Sequence, residues 1–524
     1  MSRPSLTSPQ RRAATDRGRL TYVRAGPGSG KTRVVAEAFG HARFVRFFGD
    51  PRGVVAATFA RSARSELASR VRHRWGGRSA AWPNSVCTLD EIHRQLVSHL
   101  VGSGLLPWPG GALPDSVSDG WSADDGATRM VGKNSRYFVQ LNRSREVTVF
   151  ATSSDVIAPS PAFVAGEQLM SALEGGKCTH ADIRNVLYSI VRSDEHAHLV
   201  ESMRTFVSRR MCQLIVDEAF DMNDLDVRVV RLIAESGVPV LLVGDPWQSL
   251  YEFRGATPNR VTELVEGAGW NELRMPGEHR YQTREMIELA TALFDGDWFR
   301  VRRAREDDSY DVVVAREWTA LWQETRIPVL PIGISSQLDR SRLASCCVLV
   351  QHQMLWGAHS LSAQAFERCC SDIGLAPGDV IQLLPAVIEE LSQKGLSVTD
   401  AWPILRKAFQ TTGKAWGNPK KTADAYMQRM LELLQRGEGF LPGYTAHQAK
   451  GLEWDGVLLL EREFGDGDDV EYRLSIDAEE HRSLYVALTR ARRHVHYLEP
   501  LSQPTRGVEA QRIESRVRPM TVKS

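Results

Sequence analysis

The sequence predicts an α/β chain with two parallel sheets, each flanked by crossover helices and each interrupted by a largely helical insertion. Short β-branched or aliphatic runs recur in both halves of the 524 residues, with helical stretches between them. They are Leu20–Val23, Val54–Ala57, Gln213–Val216, Val238–Val243, Asp311–Val314, Val348–Gln351, Val457–Leu460 and His494–Leu498. Three of these runs end in polar clusters: a glycine loop, Asp217-Glu218, and Asp245. Ligands of parallel sheets sit beyond the carboxyl ends of the strands. Two stretches break the pattern. Residues 101–202 begin rich in glycine and proline and end helical, and residues 374–439 read as amphipathic helices at Val380–Leu391 and Ala423–Leu434.

The first run leads into Ala25-Gly26-Pro27-Gly28-Ser29-Gly30-Lys31-Thr32-Arg33, and a helical stretch begins at Thr32. Strand, glycine loop and helix together form a phosphate cradle. The glycines let backbone N–H groups turn toward an anion, and the helix N-terminus adds its positive end. Lys31 is placed to reach the β- and γ-phosphates of ATP, and the Thr32 hydroxyl to ligate Mg2+. The usual first glycine of such loops is Ala25 here. The next strand ends Leu214-Ile215-Val216-Asp217-Glu218-Ala219-Phe220-Asp221. ATP hydrolysis needs one carboxylate on the metal and another to orient the attacking water. Asp217 suits the first task and Glu218 the second.

Composition excludes little else. The chain is 42% hydrophobic and 25% charged with a formal net charge of +1, as for an ordinary globular protein. No apolar run is long enough to span a bilayer, and Met1–Arg12 lacks an apolar core, so the expectation is a cytoplasmic protein with no membrane partner. The adjacent pairs Cys346-Cys347 and Cys369-Cys370 read as small buried hydrophobes. Two arginine clusters, Arg61/Arg64/Arg70/Arg72/Arg74/Arg78 and Arg300/Arg302/Arg303/Arg305, are either solvated faces or parts of a nucleic-acid groove.

Longer motifs then carry a resemblance. Val243-Gly244-Asp245-Pro246-Trp247-Gln248-Ser249-Leu250-Tyr251-Glu252-Phe253-Arg254-Gly255-Ala256 resembles motif III of the UvrD/Rep/PcrA-type superfamily 1 DNA helicases. Tyr444-Thr445-Ala446-His447-Gln448-Ala449-Lys450-Gly451-Leu452-Glu453-Trp454 resembles their motif V, and Leu484-Tyr485-Val486-Ala487-Leu488-Thr489-Arg490-Ala491-Arg492 their motif VI. Alanine at the place of Ala25 is common in that family. The resemblance implies two RecA-like P-loop NTPase domains: residues 1–100 with 203–278 (1A), and 279–373 with 440–500 (2A). They would carry insertions at 101–202 (1B) and 374–439 (a short 2B), with a tail at 501–524.

The same resemblance implies roles for single residues. Gln10 would recognise adenine, Gln248 would contact the γ-phosphate, and Glu453 would bind the ribose. Arg280 and Arg490, taken from the second sheet domain, would close on the γ-phosphate as arginine fingers within one chain. Thr58, Phe59, Thr88, Tyr251, Phe253, Thr445 and His447 would face single-stranded DNA. Phe220 stands where the family usually has glutamine, and Arg61-Ser62 where it has an asparagine-lysine pair. The implied activity is an ATP-dependent 3′ to 5′ translocase or helicase acting on single strands and on junctions with duplex. The rival is a nucleotide-gated DNA-binding subunit that works with a nuclease or another defence or repair protein, as in Gabija-like systems. Phe220 and the short second insertion lean toward it.

Overall fold

The computed structural model describes residues 6–118, 137–141, 146–151, 170–250, 255–267, 269–277, 280–332, 342–355, 363–409, 421–436, 439–465, 467–476 and 478–501. The chain divides into two compact units, the first ending at Arg280 and the second beginning at Tyr281.

In chain order the strands of the first unit are β1 (Leu20–Ala25), β2 (Gly53–Thr58), β3 (Ser85–Thr88), β4 (Ser116–Ser118), β5 (Tyr137–Leu141), β6 (Val147–Ala151), β7 (Lys177–Thr179), β8 (Met211–Val216), β9 (Val240–Gly244) and β10 (Trp270–Met275). Six of them form one sheet in the order β10-β1-β9-β8-β2-β3, with every pairing parallel. Alternate residues feed two cores. Val23, Val54, Ala56, Ile215, Leu241 and Val243 pack under Val34, Val35 and Phe39 of the helix Lys31–His41. Tyr22, Val55, Ala57, Leu214, Val216 and Leu242 pack on the other face with Leu96, Ile183, Val229 and Ile233. Burial on both faces explains why these strands read as continuous apolar runs. Leu106, Trp108 and Leu173, from the segment after β3, belong to the second core, so that segment is fused to the sheet. Within it β4 pairs with β7, β5 pairs with β6, and the helix His180–Arg192 follows.

The order of the strands decides what meets at the carboxyl edge. β1, β9 and β8 are neighbours, so the glycine loop, Asp245 and Asp217-Glu218 emerge side by side. β2 and β3 follow, with Thr58 paired to Thr88 in register.

The second unit holds β11 (Phe299–Arg303), β12 (Val312–Ala315), β13 (Val329–Pro331), β14 (Leu441–Thr445), β15 (Trp454–Leu460), β16 (Asp469–Tyr472) and β17 (Ala491–Leu498). Their order is β13-β14-β12-β15-β17-β11-β16, parallel except for the β11–β16 pair at the edge. Both units are therefore RecA-like parallel sheets flanked by helices. Between β13 and β14 lie the helices Arg342–Met354, Ala363–Ile373, Pro377–Leu391, Val398–Ala408 and Lys421–Arg436. Arg429 of the last one is buried and donates from Nε to Val329 O (3.1 Å) and from Nη2 to Glu324 O (2.7 Å), which anchors that helix to the start of β13.

One strand expectation is corrected. Val348–Gln351 lies inside the helix Arg342–Met354. Ser345, Cys346, Cys347, Val348, Leu349, Val350 and Gln351 are all buried, so this helix is enclosed on every side, and a four-residue run cannot distinguish that from a strand. Among the described residues no helix is long and apolar enough to cross a membrane.

Candidate nucleotide site

The site is built at the carboxyl edge of the first sheet. β1 ends at Ala25, and the loop turns through Gly28 with a left-handed φ of 73°, which favours glycine. A side chain there would also collide with Arg280, whose Cβ lies 2.4 Å from where the Gly28 Cβ would be. The loop is held from two sides. Gly26 N donates to Met275 O at the end of β10 (3.0 Å), and Gln10 Nε2 donates to Ser29 O (2.8 Å). Pro27 is buried, Gly30 precedes the first helical turn, and Arg33 is half-buried on that turn.

Lys31 stands at the start of the helix with its side chain only 10% exposed. Its Nζ donates to Gln248 Oε1 (3.1 Å) and lies 3.9 Å from Glu218 Oε1. Gln248 is oriented in turn: its Nε2 donates to Asp245 Oδ2 (2.8 Å), and Asp245 Oδ1 accepts from Trp247 N (3.1 Å). With both carboxylate oxygens engaged, the amide can present only its oxygen to Lys31. Asp245 was visible in the sequence as the end of a strand, but its task as the orienter of Gln248 was not.

Asp217 is buried at the end of β8, where it accepts from the Thr32 hydroxyl and from Glu218 N (3.0 Å). Burial first, and then the Glu218 carboxylate, push its carboxyl well above the usual range, while Lys31 and Thr32 oppose the shift. A desolvated carboxylate beside a threonine hydroxyl fits a divalent cation, whose charge would favour the ionised form. Ser29 Oγ is buried without a hydrogen-bond partner among the described residues, which also fits a polar ligand in the loop. Glu218 has a φ of 53°, the one non-glycine residue in the left-handed region among the described residues. That conformation costs about 1–2 kcal/mol and turns Glu218 away from the strand line toward Lys31.

Phe220 explains its own departure from the motif. It is buried, meets the Tyr22 ring edge-on at 5.7 Å, and packs on Gly244, where a Cβ would approach its ring to 3.0 Å. Its carbonyl accepts from Ser249 Oγ (2.8 Å). The turn after Asp217 is thus fastened to β1 and the end of β9 by ring packing and to the segment after β9 by a hydrogen bond.

The comparisons with known proteins agree with this geometry. A profile described as an AAA domain matches residues 10–254, and one described as a UvrD-like helicase C-terminal domain matches residues 441–496. DNA helicase II of Salmonella typhimurium is 23% identical over 321 residues, which is 59% of this chain and 42% of that protein. The two profile matches and the relatives support a UvrD-like superfamily 1 helicase. ATP-dependent DNA helicase Rep of Escherichia coli is 25% identical over 256 residues, 47% of this chain and 36% of its own length. ATP-dependent DNA helicase UvrD1 of Mycobacterium leprae is 25% identical over 291 residues, 49% of this chain and 35% of its own. The aligned stretches thus span less than half of each of these relatives.

The remaining positions carried over from the family fall as follows. Each amide atom of Gln10 has one protein partner, Ser29 O for Nε2 and Thr7 N for Oε1 (3.1 Å), which fixes the amide's orientation and leaves a second N–H and a second lone pair to meet adenine. Arg280 is half-buried against the glycine loop and is the last residue of the first compact unit. Arg490 is buried in the second unit, donating from Nε to Val486 O (2.9 Å), from Nη1 to Leu452 O (3.5 Å) and from Nη2 to Thr489 Oγ1 (3.1 Å). Glu453 lies half-buried just before β15.

Among the residues expected to meet DNA, Phe59 is half-exposed just past β2 and outside both cores of the first unit. Thr58 is 1% exposed and donates to Ala60 O (3.2 Å). Thr88 is buried and caps the helix Leu89–Gly102, accepting from Glu91 N (3.3 Å). These two hydroxyls therefore have local structural tasks. Thr445 likewise caps Ala446–Ala449 in a box with Gln448, and His447 is half-buried on that turn. Tyr251 and Phe253 lie outside the described residues. Of the clustered arginines, Arg64 is ion-paired with Glu91 (2.8 Å), Arg70 with Glu66 (2.6 Å), Arg74 with Glu37 (2.6 Å) and Arg302 with Asp308 (2.7 Å), and Arg61, Arg70, Arg72, Arg74, Arg78, Arg300 and Arg305 are exposed.

Proposed function

We propose that this chain hydrolyses ATP to move along single-stranded DNA and separates duplex at junctions, with the 3′ to 5′ polarity its motifs imply. The observation that supports this most is the side-chain relay Asp245–Gln248–Lys31–Glu218, set beside the buried Asp217 and Thr32. It combines a phosphate cation, a γ-phosphate sensor and an acidic pair on adjacent strands. Lys31 binds the β- and γ-phosphates, and Asp217 and Thr32 hold magnesium. The metal, when bound, neutralises phosphate charge. Glu218 accepts a hydrogen bond from the attacking water and draws off its proton. Gln248 registers the γ-phosphate by trading its contact with Lys31 for one to phosphate, and Asp245 keeps its amide in register. Arg280 and Arg490 supply positive charge as the γ-phosphoryl leaves, Glu453 takes the ribose, and Gln10 takes the adenine.

The proposed division of labour assigns nucleotide binding to residues 1–100 and 203–278, with 101–202 as subdomain 1B. Residues 279–373 and 440–500 form domain 2A, and 374–439 form subdomain 2B. Phe59, Tyr251, Phe253, Thr445 and His447 line the strand path, and the proposed place of work is the cytoplasm. The test is ATP hydrolysis with and without oligo(dT), followed by displacement of a labelled strand from duplexes bearing a 3′ or a 5′ tail. Displacement that requires ATP and a 3′ tail is the expected result. ATP hydrolysis stimulated by DNA without displacement from either duplex would reduce the activity to translocation.

A further inference from the structure

The amino-terminal edge of the first sheet carries a surface that the nucleotide site does not use. The loops entering β1, β2, β3 and β8 all open on that edge because these strands run parallel. Six residues of strand place it roughly 20 Å from the glycine loop. The helix Lys31–His41 runs from the loop to this edge and passes into a π turn, Ala42–Arg46, closed by Phe47 N donating to Ala42 O (2.8 Å). Such turns are rare and frequently mark functional positions.

Here the turn sends apolar side chains into solvent. Phe48 is 82% exposed and Val45 53%. Phe44 stacks on Trp75 (5.7 Å), over which the Arg74 guanidinium lies at 4.6 Å. Trp82, in the loop entering β3, is 81% exposed. Arginines join these rings into one surface. Arg46 Nη1 donates to Gly18 O (3.3 Å), beside the exposed Arg17. Arg43 Nη1 donates to Asp50 O (2.8 Å), Arg52 Nη1 to Ser208 O (3.2 Å), and Arg210 Nη1 to Pro83 O next to Trp82. Of the nearby acids, Asp50 and Glu37 are paired with Arg52 (2.8 Å) and Arg74 (2.6 Å) and Asp16 lies in the field of Arg46, so Arg17, Arg43 and Arg210 leave positive charge in excess. His41 registers that field: burial, then Arg17 and Arg46, lower its pKa.

We propose that this edge is a second binding surface for single-stranded nucleic acid, with bases stacking on Phe48 and Trp82 and phosphates meeting Arg17, Arg43, Arg46 and Arg209, the last exposed at the end of the helix Ala197–Arg210 that leads into β8. Exposed aromatic rings set among cations are the composition of sequence-tolerant single-strand grooves. The proposal goes beyond the motor reading and does not depend on it.

The test titrates the full chain, without nucleotide and at low salt, with a photoreactive oligo(dT) of about 10 nucleotides, a length matched to single-strand sites. Two equivalents bind, and the crosslinked peptides include residues 42–52 or 76–84. The double variant Phe48→Ala/Trp82→Ala weakens the second equivalent by about tenfold or more with unchanged thermal unfolding. Arg17→Glu/Arg209→Glu flattens the salt dependence of the same equivalent. Crosslinks that omit residues 42–52 and 76–84, whatever the number of equivalents bound, or that are confined to the carboxyl edge around Phe59, would overturn the proposal. So would displacement by polyglutamate as effective as by unlabelled oligo(dT), which would assign the surface to an acidic protein segment.

Discussion

Asp245→Asn separates the oriented relay from a mere collection of polar residues. One oxygen of Asp245 accepts from Trp247 N (3.1 Å) and the other from Gln248 Nε2 (2.8 Å). Asparagine has a single acceptor oxygen at its tip. If that oxygen stays with Trp247 N, the new amide nitrogen faces Gln248 Nε2, donor against donor. Gln248 then relaxes only by flipping, which turns its Nε2 toward the Lys31 ammonium, now 3.1 Å from its oxygen. The exchange loses one charge-assisted hydrogen bond and sets a donor against a cation, which corresponds to about 1.5–3 kcal/mol. ATP turnover at saturating DNA should therefore fall roughly ten- to hundredfold. The loss should be confined to one path, so Asp245→Asn added to Gln248→Ala should change turnover less than twofold. Steady-state ATPase assays on the four proteins of this cycle test it, with thermal unfolding as the control for folding. Equal losses in both backgrounds would show that Asp245 does not act through Gln248.

Lys31→Ala should abolish turnover, whereas Glu218→Gln should retain binding of a fluorescent ATP analogue yet hydrolyse nothing measurable; persistent hydrolysis would remove Glu218 from its role. Because Glu218 holds a left-handed backbone, Glu218→Gly should raise the thermal midpoint, by about 1 kcal/mol of relieved strain, while eliminating activity. Phe220→Ala should destabilise the first unit by about 3–5 kcal/mol in denaturant melts, since it empties the space beside Tyr22; a shift under 1 kcal/mol would contradict the packing role. His93 is fully buried, 3.2 Å from Asp226 and 3.7 Å from Asp90. Burial alone would lower its pKa, but the two carboxylates outweigh burial and raise it to about 9. A raised folded pKa gives stability that is full below the ordinary histidine range and lost as pH climbs through about 9. The thermal midpoint of the wild type should thus fall toward that of His93→Gln between pH 7 and 10, and parallel curves would refute the ion pair.

The glycine loop and the acidic strand end were legible because their chemistry sits on contiguous residues, and the glycine conformations they need leave a composition signal. The parallel sheets were legible because burial on both faces makes continuous apolar runs. What escaped depends on partners distant in sequence. Asp245 acquires its meaning only from the amide it orients, and Phe220 looked like a defect until Tyr22 and Gly244 came to lie against it. Thr58, Thr88 and Thr445 read as DNA contacts, and only the fold shows that their hydroxyls serve a local carbonyl or a helix cap as well. Val348–Gln351 misled because a helix buried all round has no periodicity to read. The amino-terminal edge surface carried no motif at all, since its rings and arginines come from four separate loops.

The central claim is that the groups around Lys31 hold ATP for a reaction driven by a single strand. Its most direct test is the steady-state rate of phosphate release by the full chain, with and without oligo(dT), for wild type beside Lys31→Ala. Strong stimulation by oligo(dT) is expected in the wild type and none in the variant. A wild-type rate indifferent to DNA, or one that survives loss of the Lys31 ammonium, would contradict it.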